Sequence, residues 1–302
     1  MARGIIIEFS YLIASVLFII GIKMMGKTAS ARQGNFYSAL AMLIAIVATL
    51  INQNVVSYAE ILVAFIIGSA IGTYTAQKVP MTSMPEMVAL FNGFGGLASV
   101  FVGISEYWRV VQENHSDDGM VWIVATIASV IIGGITFTGS YIAYAKLKGI
   151  VKGGAVTFSG QHTVNLVLFV VIIVASVMSV FDLSSPYLIL AVALMSLVLG
   201  VLVVIPIGGA DMPVVVSLLN SYSGIAGCAT GFILNNNVLI ISGALVGASG
   251  IILTQIMCKA MNRSLVSVLL GGFGQTSSST AADASGSNIV VKEVGVEESA
   301  MI

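Results

Sequence analysis

Long apolar stretches separated by short polar breaks run through this chain, and its few charges sit almost entirely in the breaks. A bilayer hydrocarbon core of about 30 Å takes roughly 20 apolar residues per helical crossing. Inside it, each helix must satisfy its own backbone N–H and C=O groups. Charged residues are 8% of the chain and apolar residues 58%, against about 25% charged in an ordinary soluble domain. No soluble fold hides that much apolar surface. The chain reads as an all-α polytopic membrane protein, and its function must be argued from the rare polar residues left inside the spans.

Nine spans are expected, near 5–25, 36–52, 60–77, 84–105, 119–146, 165–181, 187–207, 212–233 and 237–257. The fifth is long enough to protrude from the bilayer. Arg3, an apolar run and Ala29-Ser30-Ala31 superficially resemble a cleavable leader. The run from Ile5 to Ile22 is too long for one, however, carries Glu8, and is followed by Lys23 and Lys27. Retention as a membrane anchor is expected.

Loop charge orients the bundle. With the N-terminus outside, one side receives Lys23, Lys27, Arg32, Lys78, Lys146, Lys148, Lys152, Lys259 and Arg263. The other receives only Arg3 and Arg109, beside Glu60, Glu106, Glu113, Asp117, Asp118 and Asp182. The positive-inside rule makes the first side cytoplasmic, and with it the C-terminus. Residues 1–258 then form the bundle. Lys259 to Leu270 is expected as a short amphipathic cytoplasmic helix, ended by Gly271-Gly272-Phe273-Gly274, and 275–302 as a flexible linker leading into something further.

Several chemistries have no support. The net charge of −1 suggests no nucleic-acid partner. Cys228 and Cys258 lack metal or redox spacing and read as buried small residues. His115 and His162 fall in expected loops, so no nucleophilic triad is plausible, and no Gly-rich nucleotide fingerprint or metal-ligand spacing occurs. The sequence shows no catalytic, cofactor-binding or metal-binding residues.

Polar residues within spans are the candidates. Asp211 and Pro213 open the eighth span, where a carboxylate suits the helix dipole. Asn220 lies deeper. Ser217, Asn220 and Gly224 share a face, which places Asn220 toward the bundle interior. Met84-Pro85-Glu86 repeats the proline and acid at the start of the fourth span, with Asn92 two turns inside. The fifth span contributes Thr136, Thr138 and Ser140. Gly243, Gly247 and Gly250 line one face of the ninth span, as close helix packing requires. Helix capping by Asp211 and Glu86, and plain interhelical hydrogen bonding by Asn220 and Asn92, remain open readings.

Together these motifs resemble the β subunit of proton-translocating nicotinamide nucleotide transhydrogenase. The likeness rests on Met84-Pro-Glu-Met-Val-Ala-Leu, Thr136-Phe-Thr-Gly-Ser-Tyr-Ile-Ala and Gly208-Gly-Ala-Asp-Met-Pro-Val-Val-Val-Ser-Leu-Leu-Asn-Ser-Tyr-Ser-Gly. It continues through Gly243-Ala-Leu-Val-Gly-Ala-Ser-Gly, Cys258-Lys-Ala-Met-Asn-Arg-Ser and the Gly-Gly-Phe-Gly beyond. The resemblance implies inward proton translocation coupled to hydride transfer from NADH to NADP⁺, in a multi-pass protein of the bacterial inner membrane. It implies a proton path through Asn220, Ser140 and Asn92. Asp211, Lys259, Arg263 and Glu86 would report to an NADP(H) domain, and Gly243, Gly247 and Gly250 would permit helix shifts. The implied partners are α-type subunits carrying an NAD(H) domain and membrane helices, an NADP(H)-binding domain, lipid, and a second αβ unit.

Two departures shape these expectations. Some relatives carry histidine at the position of Asn92. Asparagine cannot titrate, so the ionisable group is expected from a partner subunit's helices. The NADP(H) domain is expected beyond Ile302, or as a separate chain, so this chain alone should bind no NADP(H) or NAD(H). An ion-coupled secondary transporter is the alternative. The internal symmetry usual there is missing, since the Met84-Pro-Glu and Asp211-Met-Pro regions correspond over only three residues.

Overall fold

Apolar runs bounded by Gly, Pro, Asn and Lys become helices wherever the chain is described, namely residues 2–52, 58–113, 119–181 and 186–269 of a computed structural model. The elements are α1 (Ala2–Met25), α2 (Ala31–Asn52), α3 (Tyr58–Lys78), α4 (Met84–Glu113), α5 (Met120–Leu147), α6 (Gln161–Phe181), α7 (Pro186–Val204), α8 (Met212–Ile233), α9 (Asn237–Ala260) and the short α10 (Leu265–Leu269). Two 3₁₀ turns, Met81–Ser83 and Gly209–Asp211, lead into α4 and α8. Among the described residues there are no strands, and nine helices are long and apolar enough to cross a membrane. The polytopic all-α expectation holds, and the nine spans fall where hydropathy placed them.

α5 is the axis of the bundle, packing against α4, α7 and α8, while α6 lies on α7 and α9 on α8. Its buried face is built from small residues such as Ala125, Ser129, Gly133, Thr136, Gly139, Ser140 and Ala143. In lipid no hydrophobic force draws helices together, so close backbone approach must do so. A Cβ on Gly96 of α4 would stand 2.7 Å from the Gly133 carbonyl oxygen of α5. A Cβ on Gly224 of α8 would stand 2.9 Å from the Gly243 carbonyl oxygen of α9. Only glycine fits at such crossings. The α1–α2 hairpin reaches the rest through α9, where Asn236 Nδ2 donates to Thr49 Oγ1 (3.2 Å) beside Tyr11. α3 has no buried residue.

The α8–α9 turn shows sequence chemistry acting locally. Asn235 takes the left-handed conformation (φ 49°), which asparagine tolerates well. Asn236 then caps α9, its Oδ1 accepting from the Leu239 N–H at 3.1 Å.

Three expectations are corrected. The fourth helix runs to Glu113 rather than 105. Arg109 pairs with Glu106 (2.9 Å) and Glu113 (2.7 Å) along one exposed face, which suits the added turns to water. His162 lies in the first turn of α6, not in a loop; His115 lies outside the described residues. The helix expected over Lys259 to Leu270 is not continuous. α9 continues through Ala260, a turn follows with Asn262 at φ 52°, and only Leu265–Leu269 is helical. Lys259 thus belongs to the last turn of α9. The Gly-Gly-Phe-Gly stop and the linker lie outside the described residues.

Candidate functional site

The polar centre of the bundle sits where α4, α5 and α8 meet. Asn92 Nδ2 donates to Ser140 Oγ on α5 at 2.9 Å, and Ser223 Oγ on α8 donates to Asn92 Oδ1 at 2.6 Å. One amide thus joins two hydroxyls from two other helices. Gly93, next to Asn92, makes this possible: a Cβ there would stand 3.2 Å from both Ser140 Cβ and the Phe137 carbonyl oxygen. Without it α4 comes close enough for the amide to reach. Ser140 is buried, while Asn92 and Ser223 are half-buried.

Ser223 Oγ is also 2.8 Å from the carbonyl oxygen of Asn220. A hydroxyl has one proton to donate, so Ser223 serves either the amide across the interface or its own helix. A second hydrogen-bonding arrangement requires the Asn92 amide to turn over, so that Nδ2 donates to Ser223, Oδ1 accepts from Ser140, and Ser223 donates to the Asn220 carbonyl. Asn220 enters through this carbonyl. Its side chain is half-buried and makes no hydrogen bond among the described residues.

The resemblance put Asn220, Ser140 and Asn92 on one path; the structure brings the side chains of Asn92 and Ser140 into contact and gives that of Asn220 no hydrogen bond to either. Ser223 is the addition. Its signal was visible as a serine three residues beyond Asn220, but Ser217, three residues before it, offered the same spacing.

A groove of about 430 Å³ opens beside this centre, bounded by α1, α2, α4, α8 and α9. Ser223, Ser99, Thr230 and Ser242 line it among apolar residues such as Phe18 and Val246. Two turns from the centre along α8, Thr230 Oγ1 lies 2.9 Å from Ser129 Oγ of α5, which donates to the Ser99 carbonyl of α4 at 3.0 Å. The same three helices thus share a second hydroxyl layer.

A charged layer lies at the other end of α8. Asp211 closes the 3₁₀ turn before the helix and is buried. Its side chain caps no helical N–H. The carboxylate instead accepts from Arg263 Nη2 at 2.8 Å, with Nε at 3.4 Å. Asp211 therefore ties α8 to the turn after α9. The hydrogen bond to Asp211, followed by its charge, raises the Arg263 pKa above its ordinary value.

Lys259 is exposed and, with Gln255, Asn262 and Arg263, lines a shallow depression of about 480 Å³. Glu86 is half-buried in the first turn of α4. Lys148, just past α5, has a raised pKa chiefly from its hydrogen bond to the Tyr144 hydroxyl (2.8 Å), with smaller help from the Glu86 charge. Glu86, Lys148, Asp211, Lys259 and Arg263 thus share one end of the bundle. Gly243, Gly247 and Gly250 are all buried on α9, and all three face α8.

A second residue escaped sequence reasoning. Lys146, counted there as a loop charge, is buried in the last turn of α5, only 4% exposed. Cys228 and Cys258 are unpaired thiols, and among the described residues no three His, Cys, Asp or Glu side chains converge on a metal-sized site.

Comparison with known proteins follows the same lines. A family model described as NAD(P) transhydrogenase beta subunit matches residues 7–302. Two curated relatives from Rhodospirillum rubrum, both named NAD(P) transhydrogenase subunit beta, are 43% identical over 297 residues. Those residues are 97% of this chain and 64% of each relative, so the chain spans less than two-thirds of their length.

Proposed function

The chain belongs to the NAD(P) transhydrogenase beta subunit family, and from that membership we propose that it is the proton-conducting membrane part of such an enzyme. In this reading, inward proton movement through the bundle is coupled to hydride transfer from NADH to NADP⁺. NAD(H) and NADP(H) are bound by soluble domains of the assembled complex. The chain lies in a bacterial inner membrane with its N-terminus outside and the charged layer at the cytoplasmic face.

The observation that carries the proposal is the hydrogen-bonded junction Ser140–Asn92–Ser223, on the helix whose opening turn holds the Asp211–Arg263 pair. The junction has two hydrogen-bonding arrangements. The ion pair is formed here, and in this reading it breaks in the other state of the cycle. α8 connects them across 12 residues, about 18 Å of helix. Coupling requires an element whose two states are biased from both ends, and α8, with a polar contact at each end, is the element assigned that part here.

No member of the junction titrates near neutral pH, since hydroxyls and amides do not. The ionisable group comes from helices of an α-type partner laid along the 430 Å³ groove that Ser223 lines. A membrane proton relay requires such a group facing the bundle interior. Asp211, Arg263, Lys259 and Glu86 form the face that meets the NADP(H) domain, and two αβ units associate.

The test is substitution in the assembled complex, reconstituted into vesicles. Asn92→Ala or Asp211→Ala abolishes hydride transfer linked to the proton gradient while assembly persists. Wild-type coupled rates in either variant would refute that residue's assigned role.

A further inference from the structure

A lysine buried in a membrane span pairs with an opposite charge, with backbone carbonyls or with a water-filled cavity. Lys146 takes the carbonyls. Its Nζ donates to three backbone carbonyls: Gly154 at 3.0 Å, Ile205 at 2.5 Å and Ile207 at 2.7 Å. An ammonium has three N–H donors, so the donor count is met by main-chain oxygens, and no ion pair to Lys146 exists among the described residues.

Those carbonyls belong to two separate connections. Gly154 lies in the Gly-rich segment between α5 and α6. Ile205 and Ile207 follow the last residue of α7 and lead into the Gly209–Asp211 turn. Backbone bonds join the same two segments nearby. The Gly209 N–H donates to the Gly153 carbonyl at 2.7 Å, and the Val156 N–H to the Ile205 carbonyl at 3.4 Å. The space beneath is filled by Val204, Ile207, Met212 and Val215, all buried. Four residues beyond Ile207 stands Asp211.

We propose that Lys146 is a positioning residue that clamps the α5–α6 and α7–α8 connections together through Gly154, Ile205 and Ile207, and so sets where Asp211 stands relative to Arg263. The proposal rests on the coupling role assigned above to Asp211. Its physical basis is that every carbonyl oxygen carries partial negative charge, and those of Ile205 and Ile207, directly after α7, add to the negative end of that helix. Three such oxygens turned toward one buried point repel one another unless a cation lies between them. Without the ammonium, only the two backbone bonds hold the connections together against that repulsion, and the turn carrying Asp211 is less firmly anchored. No other side chain from α5 to α8 joins these two connections among the described residues.

The experiment compares the wild-type chain with Lys146→Ala and Lys146→Met, purified at full length in lipid nanodiscs. Hydrogen exchange is read by mass spectrometry over 150–157 and 205–211. Exchange rises about tenfold or more in both segments together, as loss of a charge-assisted anchor predicts. Methylammonium restores protection in Lys146→Ala, where it has room to replace the missing ammonium, and not in Lys146→Met. In the assembled complex both variants lose gradient-coupled hydride transfer about tenfold or more, with normal assembly. Met retains the apolar stem, so Lys146→Met carries the test if Lys146→Ala fails to fold.

Unchanged exchange in either segment overturns the clamp. Raised exchange with a wild-type coupled rate overturns the positioning role, provided Asp211→Ala abolishes coupling in the same preparation. If Asp211→Ala itself couples normally, the proposed function has failed instead, and exchange with methylammonium rescue still decides the clamp.

Discussion

Replacing Gly243 by alanine tests what holds α9 against α8. A Cβ at position 243 would stand 2.7 Å from the Gly224 carbonyl oxygen and 2.8 Å from Cys228 Cα, and nearer still to the Cys228 amide nitrogen. All three are main-chain atoms of α8, so no rotamer change relieves the clash. Restoring ordinary contact at about 3.4 Å moves the helices apart by roughly 0.7 Å or more. A gap of that size forfeits about a quarter to a half of each contact's attraction. Forced overpacking costs about 1–3 kcal/mol, and a rigid backbone obstacle places this case at the upper end. Alanine's helix preference over glycine returns up to about 1 kcal/mol, leaving a net loss of about 2 kcal/mol.

Gly227 on α8 is the control, because a Cβ there meets nothing within 4 Å. Gly227→Ala is therefore neutral or up to about 1 kcal/mol stabilising. Gly247→Ala falls between, since its Cβ would meet the Ile225 side chain at 3.0 Å, and a side chain can yield. Unfolding of the purified chain in mixed micelles, followed by circular dichroism during titration with a denaturing detergent, ranks the three. If Gly243→Ala unfolds together with Gly227→Ala, the close crossing of α8 and α9 is not what stabilises this part of the bundle.

Ser223→Ala removes one of the two hydroxyls held by Asn92. Because an interhelical hydrogen bond in lipid contributes only about 0.6 kcal/mol on average, the unfolding midpoint barely moves. The coupled rate in vesicles falls about tenfold or more, and a parallel loss of both would mark Ser223 as structural only. Tyr144→Phe deletes the hydrogen bond that raises the Lys148 pKa. A raised folded pKa means stabilisation that is complete below the ordinary lysine value and lost as pH rises through the raised one. Wild type is therefore the more stable at neutral pH, and the two forms converge in strongly alkaline buffer. Amine-reactive labelling of Lys148 is correspondingly faster in Tyr144→Phe near pH 10, and equal labelling would remove Tyr144 as the cause.

The membrane helices were legible because the bilayer imposes a one-dimensional constraint: each crossing needs a set length of apolar residues. Misjudged ends came from polar residues whose partners lie close along the chain. Arg109 with two glutamates on its own helix face lengthened α4. A left-handed Asn262 broke the helix expected after Lys259.

The site was legible in its residue types more than in its pairings. Asn92 and Ser140 stood out as polar groups inside apolar runs, yet nothing in their separation of 48 positions says that they touch. Asn220 and Ser223 are one helical turn apart, and which of them meets Asn92 depends on the rotation of α8 against α4. Asp211 suited a helix cap by position, and only the return of the chain after α9 gave it Arg263 instead.

Composition and hydropathy order by themselves determined that this is a polytopic helical membrane chain, with nine helices long and apolar enough to span among the described residues, and motif order pointed to its family. Both are properties of residues taken in sequence. Tertiary structure alone decided that Ser223 completes the polar junction and that Lys146, counted as a loop charge, is a buried staple between two connections. The reason is that a hydrogen bond depends on distances of about 3 Å between atoms. Those distances are set by how closely glycine-lined helices cross, a quantity no single helix contains.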